Sequence, residues 1–196
     1  MLFDLFSDES ILADFKRDGA ISIKVPAYGG RVYKFSTKMN TSDYIFNEHN
    51  KDEFPPAHTA EHLLNQLMIR MFGCERSRNA HIERKKSKIS YILDHKPSRQ
   101  EEREIERQMN KLIDDDLDVN YEFVDRNHLP EGVTLDRLPE DASEMLRIVR
   151  IGPDYDVCPC IGKHVRSTSQ IGRFEVLGTN WDEMTHSFRI RFKVVQ

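Results

Sequence analysis

The chain has 196 residues, 38% of them hydrophobic and 32% charged, with a net charge of −4. That balance fits one well-cored soluble domain, or a domain with a small appendage, and it excludes both a disordered chain and a global attraction for nucleic acid. No apolar run approaches the length that crosses a bilayer. The cysteines, Cys74, Cys158 and Cys160, are too few and odd in number for a secreted disulfide framework, and the acidic start "MLFDLFSDES" is unlike a signal peptide. A cytoplasmic location, with no membrane or DNA partner, is the expectation.

In chain order, residues 8–17 read as a short amphipathic helix, and "AISIKV" (20–25) and "RVYKF" (31–35) as a hairpin around "PAYGG". The polar stretch "NEHNKDEFPP" (47–56) is the expected boundary between a small N-terminal helix and hairpin extension, 1–50, and the main domain, 51–196. A helix follows, with Pro56 tolerated in its first turn and Gly73 placed to stop it. "KISYIL" (88–93) alternates as a strand. Ser98 and Glu101 form a capping box for a helix to about residue 114, with Ile105, Met109, Leu112 and Ile113 as its buried stripe. "VNYEFV", "RIVRI" and "RFEVLG" are further strands. The last, "HSFRIRFKVV", sets Phe188, Ile190, Phe192 and Val194 against Ser187, Arg189, Arg191 and Lys193, whose cations read as a wet face. The order predicts an α+β, two-layer domain with helices packed on one face of a mostly antiparallel sheet.

The chemistry concentrates in two places. In "PPAHTAEHLLNQLMIRMFG" (55–73), His58 and His62 are four positions apart and stack on one helical face. At about 100° per residue, Ala60, Leu63, Leu64, Leu67 and Met71 form the apolar side, and the histidines lie nearly opposite with Asn65 and Ile69. They are half of a metal site or two polar residues on a solvated face. Thr59 occupies the position where a zinc protease helix carries its general-base Glu, and Glu61 reads as lying on a different side, so metalloprotease chemistry is set aside. In "DYDVCPCIGKHVRSTSQIG" (154–172), Cys160 and His164 repeat the four-residue spacing. That stretch is a metal loop or merely a loop of small residues. Together the pairs supply four ligands of the types zinc prefers, too far apart in sequence for a compact finger.

These two stretches, "HTAEHLLNQLM" with "CIGKHVRSTSQIGRFEVL", resemble the editing domain shared by alanyl- and threonyl-tRNA synthetases, with free-standing alanyl-tRNA editing proteins as closest kin. Thr168 and Ile171-Gly172 keep step with that pattern. Ile161-Gly162-Lys163 replaces the usual Gly-Gly-Thr, and Cys158 stands where the family tends to carry an acid. The resemblance implies a trans-acting, zinc-dependent hydrolase of mischarged tRNA, removing Ser or Gly from tRNA(Ala). By motif position, His58, His62, Cys160 and His164 would surround the Zn2+. A pocket that hydrogen-bonds a serine hydroxyl discriminates well, and Thr59, Asn79, Lys163 and Thr168 are the candidate wall. Arg76, Arg78, Arg84, Lys85, Lys86 and Lys88 read as a tRNA phosphate contact or as a solvated loop. The alternative function is a catalytically silent tRNA-binding or regulatory module holding a structural metal; another is a zinc hydrolase of small esters or amides.

Overall fold

The computed structural model describes residues 54–125, 129–130, 133 and 145–196, together with two short strands near the start. Those strands, β1 (Leu2–Phe3) and β2 (Ser10–Ile11), pair antiparallel. Ser10 and Ile11 fall within the stretch 8–17 expected as helix and are strand instead. The rest of that stretch, the hairpin at 20–35 and the boundary up to residue 53 lie outside the described residues.

Helix α1 spans Pro55–Phe72. Its two leading prolines forgo N–H groups that have no partner in a first turn. Gly73 ends it at φ 66°, a left-handed conformation that glycine takes without a Cβ clash, and donates its N–H to the Ile69 carbonyl at 2.9 Å. Then come β3 (Asn79–His81), β4 (Ser87–Ile92), α2 (Arg99–Asp114), β5 (Val119–Asp125), β6 (Met145–Ile151) and β7 (Asp156–Pro159). A 3-10 turn (Thr168–Ile171), β8 (Arg173–Asp182) and β9 (Ser187–Val195) complete the order. The capping box on α2 is formed in both directions: Glu101 N–H donates to Ser98 Oγ at 3.2 Å, and Ser98 N–H donates to Glu101 Oε2 at 2.8 Å.

The architecture is α+β, as expected; besides the β1-β2 pair, its described strands fall into two antiparallel sheets, one ordered β3-β4-β9-β8 and the other β5-β6-β7. The alternation in β9 buries Phe188, Ile190, Phe192 and Val194, and with Ile89, Tyr91 and Phe174 they form the face on which the helices pack. Helix α1 contacts β9 of the larger sheet and β7 of the smaller one. It is therefore buried on both sides: His62, Asn65 and Thr59 are as enclosed as Leu63 and Leu64. The histidine face is covered by the smaller sheet and is not a solvated one. No helix among the described residues is long and apolar enough to cross a membrane.

Two polar side chains tie the layers together. Asn110 of α2 donates Nδ2 to the Phe174 carbonyl at 2.9 Å and accepts the Phe174 N–H at 3.0 Å. Thr168 is fully buried; its Oγ1 donates to the Leu112 carbonyl at 2.8 Å, at the end of α2, and accepts the Leu117 N–H at 2.8 Å. Ile171 beside it is core, and Gly172 sits at φ +85°, where a Cβ would run into the Val195 carbonyl oxygen. The Thr and Ile-Gly of the sequence motif are thus a clamp anchoring the loop to α2 and β9. Asn110→Ala strands the Phe174 N–H and carbonyl inside the core, so it is expected to destabilise the fold by about 2–4 kcal/mol, read as a lowered denaturation midpoint in urea at unchanged slope.

Candidate metal centre

Helix α1 contributes His58 and His62, one turn apart. The loop that leaves the β6-β7 hairpin contributes Cys160 and His164. In register with β6, Ile151 pairs with Asp156 and Val149 with Cys158, and the Cys160 N–H continues the ladder to the Arg147 carbonyl at 3.0 Å. Side chains two apart on a strand share a face, so Asp156, Cys158 and Cys160 lie on one side of the hairpin. That side meets α1, as the Asp156–His62 and Cys160–His58 contacts show.

The four ligand atoms of His58, His62, Cys160 and His164 lie within 4.8 Å of one another. Cys160 Sγ stands 3.5 Å from His58 Nε2 and 3.4 Å from His164 Nε2. A tetrahedral centre with bonds of about 2.0–2.3 Å needs its donors about 3.5 Å apart, which the two Cys160 distances match, and the remaining donors lie near enough to be drawn in by an ion.

The other nitrogen of each imidazole is held, and the partners dictate the tautomers. His58 Nδ1 faces the Lys163 carbonyl at 3.2 Å, a group that only accepts, so Nδ1 carries the proton. His62 Nδ1 faces Asp156 Oδ2 at 2.9 Å. His164 Nδ1 faces Thr59 Oγ1 at 3.1 Å. That hydroxyl already donates to the Pro55 carbonyl at 2.9 Å and accepts the Val165 N–H at 3.2 Å, so it accepts from His164 as well. All three rings thereby aim an Nε2 lone pair at the Cys160 sulfur. Lone pairs so gathered repel unless a cation or a shared proton lies among them, and partners that orient imidazoles this way are characteristic of metal sites.

The electrostatics agree. Burial raises the Cys160 thiol, but its contacts with His164, His58 and His62, and positive charge on His62, bring it down to about 2, which favours the thiolate form. Burial lowers His164 to about 3, against the pull of Cys160. Burial lowers His62 also, yet Asp156 and then Cys160 raise it to about 9, which puts a proton where a metal cation would serve the same field. Asp156 is raised by burial and held well below the usual carboxylate range by His62 and Arg76. Cys158 is pushed up to about 11 by burial, with Arg76 opposing; it is a protonated thiol 3.5 Å from the Pro159 carbonyl, outside the donor set.

The remaining sequence candidates divide. Thr59 is buried against His164 and supports a ligand. Lys163 is exposed and reaches the centre through its backbone carbonyl. Thr168 is locked in the clamp between α2 and the 3-10 turn, because a fully buried hydroxyl takes partners close at hand. Asn79 is exposed on edge strand β3. Arg76 turns inward and grips Asp156 with both nitrogens, at 2.6 and 3.0 Å. Arg78, Lys85, Lys86 and Lys88 are exposed, and Arg84 lies over the Phe54 ring at 4.7 Å. Glu61 shares the histidine face after all: its Oε2 is 3.7 Å from His58 Nε2, and its Oε1 accepts from Asn65 at 2.8 Å.

Two supporting residues went unread in the sequence. Arg147 donates to the Cys160 carbonyl at 2.7 Å and to the Gly162 carbonyl, and its guanidinium lies over Tyr121 at 4.7 Å, so it sets the curve of the ligand loop. Asp156 was signalled by the alternation in "DYDVCPC", which puts it on the face of Cys160. Asp156→Asn is expected to weaken metal retention roughly 10–100-fold, and Thr59→Val to weaken it less; competition with a chelator on the metal-loaded chain measures both.

Comparison with known proteins follows the same lines. The family model described as the threonyl and alanyl tRNA synthetase second additional domain matches residues 146–189. That span holds Cys160 and His164; the fold brings His58 and His62 to it from outside. The alanyl-tRNA editing protein AlaX-L of Pyrococcus horikoshii is 35% identical over 123 residues, 61% of this chain and 29% of that protein. The alanine–tRNA ligase of Hyperthermus butylicus is 33% identical over 142 residues, 70% of this chain and 15% of the ligase. That of Methanococcus maripaludis strain C6 is 29% identical over 167 residues, 84% of this chain and 18% of the ligase. The chain thus spans less than a third of the length of each of these relatives. Residues 146–189 thus match the threonyl and alanyl tRNA synthetase second additional domain, and the chain is similar to an alanyl-tRNA editing protein and to part of alanine–tRNA ligases.

Proposed function

We propose that residues 51–196 form an editing-type domain that hydrolyses the ester between a wrong amino acid and the end of a tRNA, with Ser or Gly on tRNA(Ala) as the substrates. The observation that carries this reading is the convergence of three Nε2 lone pairs and the Cys160 thiolate on one point, in a chain similar to a protein named for alanyl-tRNA editing. Thiolate and imidazole are the donors zinc prefers, so Zn2+ held by His58, His62, Cys160 and His164 is the proposed cofactor. When bound, zinc supplies Lewis acidity for polarising an ester carbonyl or activating water.

The chain's own residues do the rest. Asp156 keeps the His62 proton on Nδ1 and so keeps Nε2 a donor. Thr59 does this for His164 and the Lys163 carbonyl for His58. Arg147 holds the loop carbonyls outward, away from the donors. Lys163 is exposed and His58 and Glu61 are partly exposed, so substrate is proposed to approach from their side. Asn79, from the β3 edge, and the exposed Lys163 remain the proposed contacts for substrate selection. Arg78, Arg84, Lys85, Lys86 and Lys88 are proposed to meet tRNA phosphates. A second reading, a tRNA-binding module with a structural metal, is favoured by the donor count itself, since four protein ligands make a closed tetrahedral shell.

The test is deacylation of seryl-, glycyl- and alanyl-tRNA(Ala) and of seryl-tRNA(Thr) by wild type and His62→Ala, with metal content measured on both. Turnover of seryl- or glycyl-tRNA(Ala) is expected, falling by more than about 100-fold in the variant together with its metal, because deleting a ligand exceeds the cost of deleting a ligand's support. A metal-loaded wild type that binds tRNA and cleaves none of the four sinks the hydrolase reading and leaves the module.

A further inference from the structure

The helices cover one face of the four-stranded sheet and leave the other to solvent. On that open face the register sets Lys88 of β4 directly across from Arg191 of β9, with Arg189 across from Ser90. Lys88, Arg189 and Arg191 are all exposed. Like charges directly opposed across two strands destabilise a sheet. The fold maintains this arrangement. On its other side Arg191 pairs with Gly178, next to a bulge in β8, where a Cβ would stand 2.9 Å from the Arg191 guanidinium nitrogen. Glycine there leaves the guanidinium its space. The other cation of that face on β9 is matched: Lys193 pairs with Glu175 at 2.8 Å. Among the described residues, no carboxylate pairs with Lys88 or Arg191.

The strip has a direction. The β3-β4 turn adds exposed Arg84, Lys85 and Lys86 just before Lys88. Arg84 lies over Phe54, the residue that caps α1, and the Phe54 carbonyl accepts the His58 N–H at 3.1 Å. The cationic line therefore starts one helical turn from a metal donor and runs out across the open face, on a chain whose net charge is −4. It carries no aromatic anchor of the kind that centres a protein interface.

We propose that this strip, from the 84–86 turn through Lys88 to Arg191 and Arg189, is a phosphate-backbone track that carries tRNA to the metal centre. The proposal rests on the tRNA-editing reading and extends it from the basic turn to the outer face of the sheet. An unrelieved like-charge pair is retained because polyanionic phosphate, when bound, neutralises it and releases counterions.

The experiment is tRNA binding by the full chain over a salt series, comparing wild type, Lys88→Gln/Arg191→Gln and His62→Ala. The double variant is expected to lose roughly tenfold in affinity and to flatten the log–log salt slope by about 2. It should keep its metal and melt no lower than wild type, because a repulsive pair is removed. His62→Ala should keep its tRNA affinity. Unchanged affinity and slope in a folded, metal-loaded double variant overturns the track and leaves the editing reading standing. A wild type with no affinity for tRNA, or one that prefers phosphatidylserine vesicles to tRNA, overturns both.

Discussion

A buried carboxylate organises the centre. Asp156 is 2% exposed and lies between the imidazole of His62 at 2.9 Å and the guanidinium of Arg76 at 2.6 Å. A carboxylate is costly to enclose unless it is paired and its oxygens are bonded, and here both oxygens are. The pairing therefore selects one placement of β7 against α1. A shift of one residue along β7 would turn Asp156 away from the helix and leave Arg76 and His62 enclosed without an anion. Cys160, four residues further along the same strand face, comes to His58 as a consequence. The ionic contact and the metal donors are one registration of a hairpin on a helix.

Thr59 plays the matching part on the other side of the centre. Its hydroxyl joins the start of α1, the backbone after His164 and the His164 ring. Rigidity reaches it from outside: the Thr168 clamp fastens the segment following His164 to the end of α2, and Arg147 fastens the segment preceding it to β6. The loop is thereby held at both ends, which keeps the geometry of the four clustered side chains fixed.

The elements were readable where one physical signal dominated. The capping box at Ser98, the proline entry and glycine exit of α1, and the alternation of β9 each act locally, and each stands in the structure as written in the chain. The repeated spacing and the family resemblance also picked out the four side chains that the structure gathers into one cluster. What escaped is non-local. A helical wheel separates apolar from polar positions, and it left a solvated face as one reading for His62 and Asn65 because it cannot register a second sheet lying over them. Glu61 was put on another side, although a rotation of about 60° from His58 leaves it on the same face. Arg76 read as a phosphate contact or part of a solvated loop by its neighbours in sequence, and its guanidinium turns inward to Asp156, eighty residues away. Thr168 matched a motif whose meaning is packing.

The supports of the donors are unequal, and that inequality bears on function. His62 is held by a charged carboxylate in a nearly closed environment, and His164 by a hydroxyl whose other bonds are all made. His58 rests on one backbone carbonyl at 3.2 Å, its side chain is 17% exposed, and the same Nε2 that faces Cys160 has Glu61 Oε2 at 3.7 Å. Hydrolysis needs room for a water among the donors, whereas a structural ion needs four fixed ones. The least constrained donor is the one beside solvent, beside a carboxylate and one turn from the basic strip. His58 is thus where the centre combines the weakest hold with access and an oxygen acceptor, and the hydrolase reading requires those features to coincide.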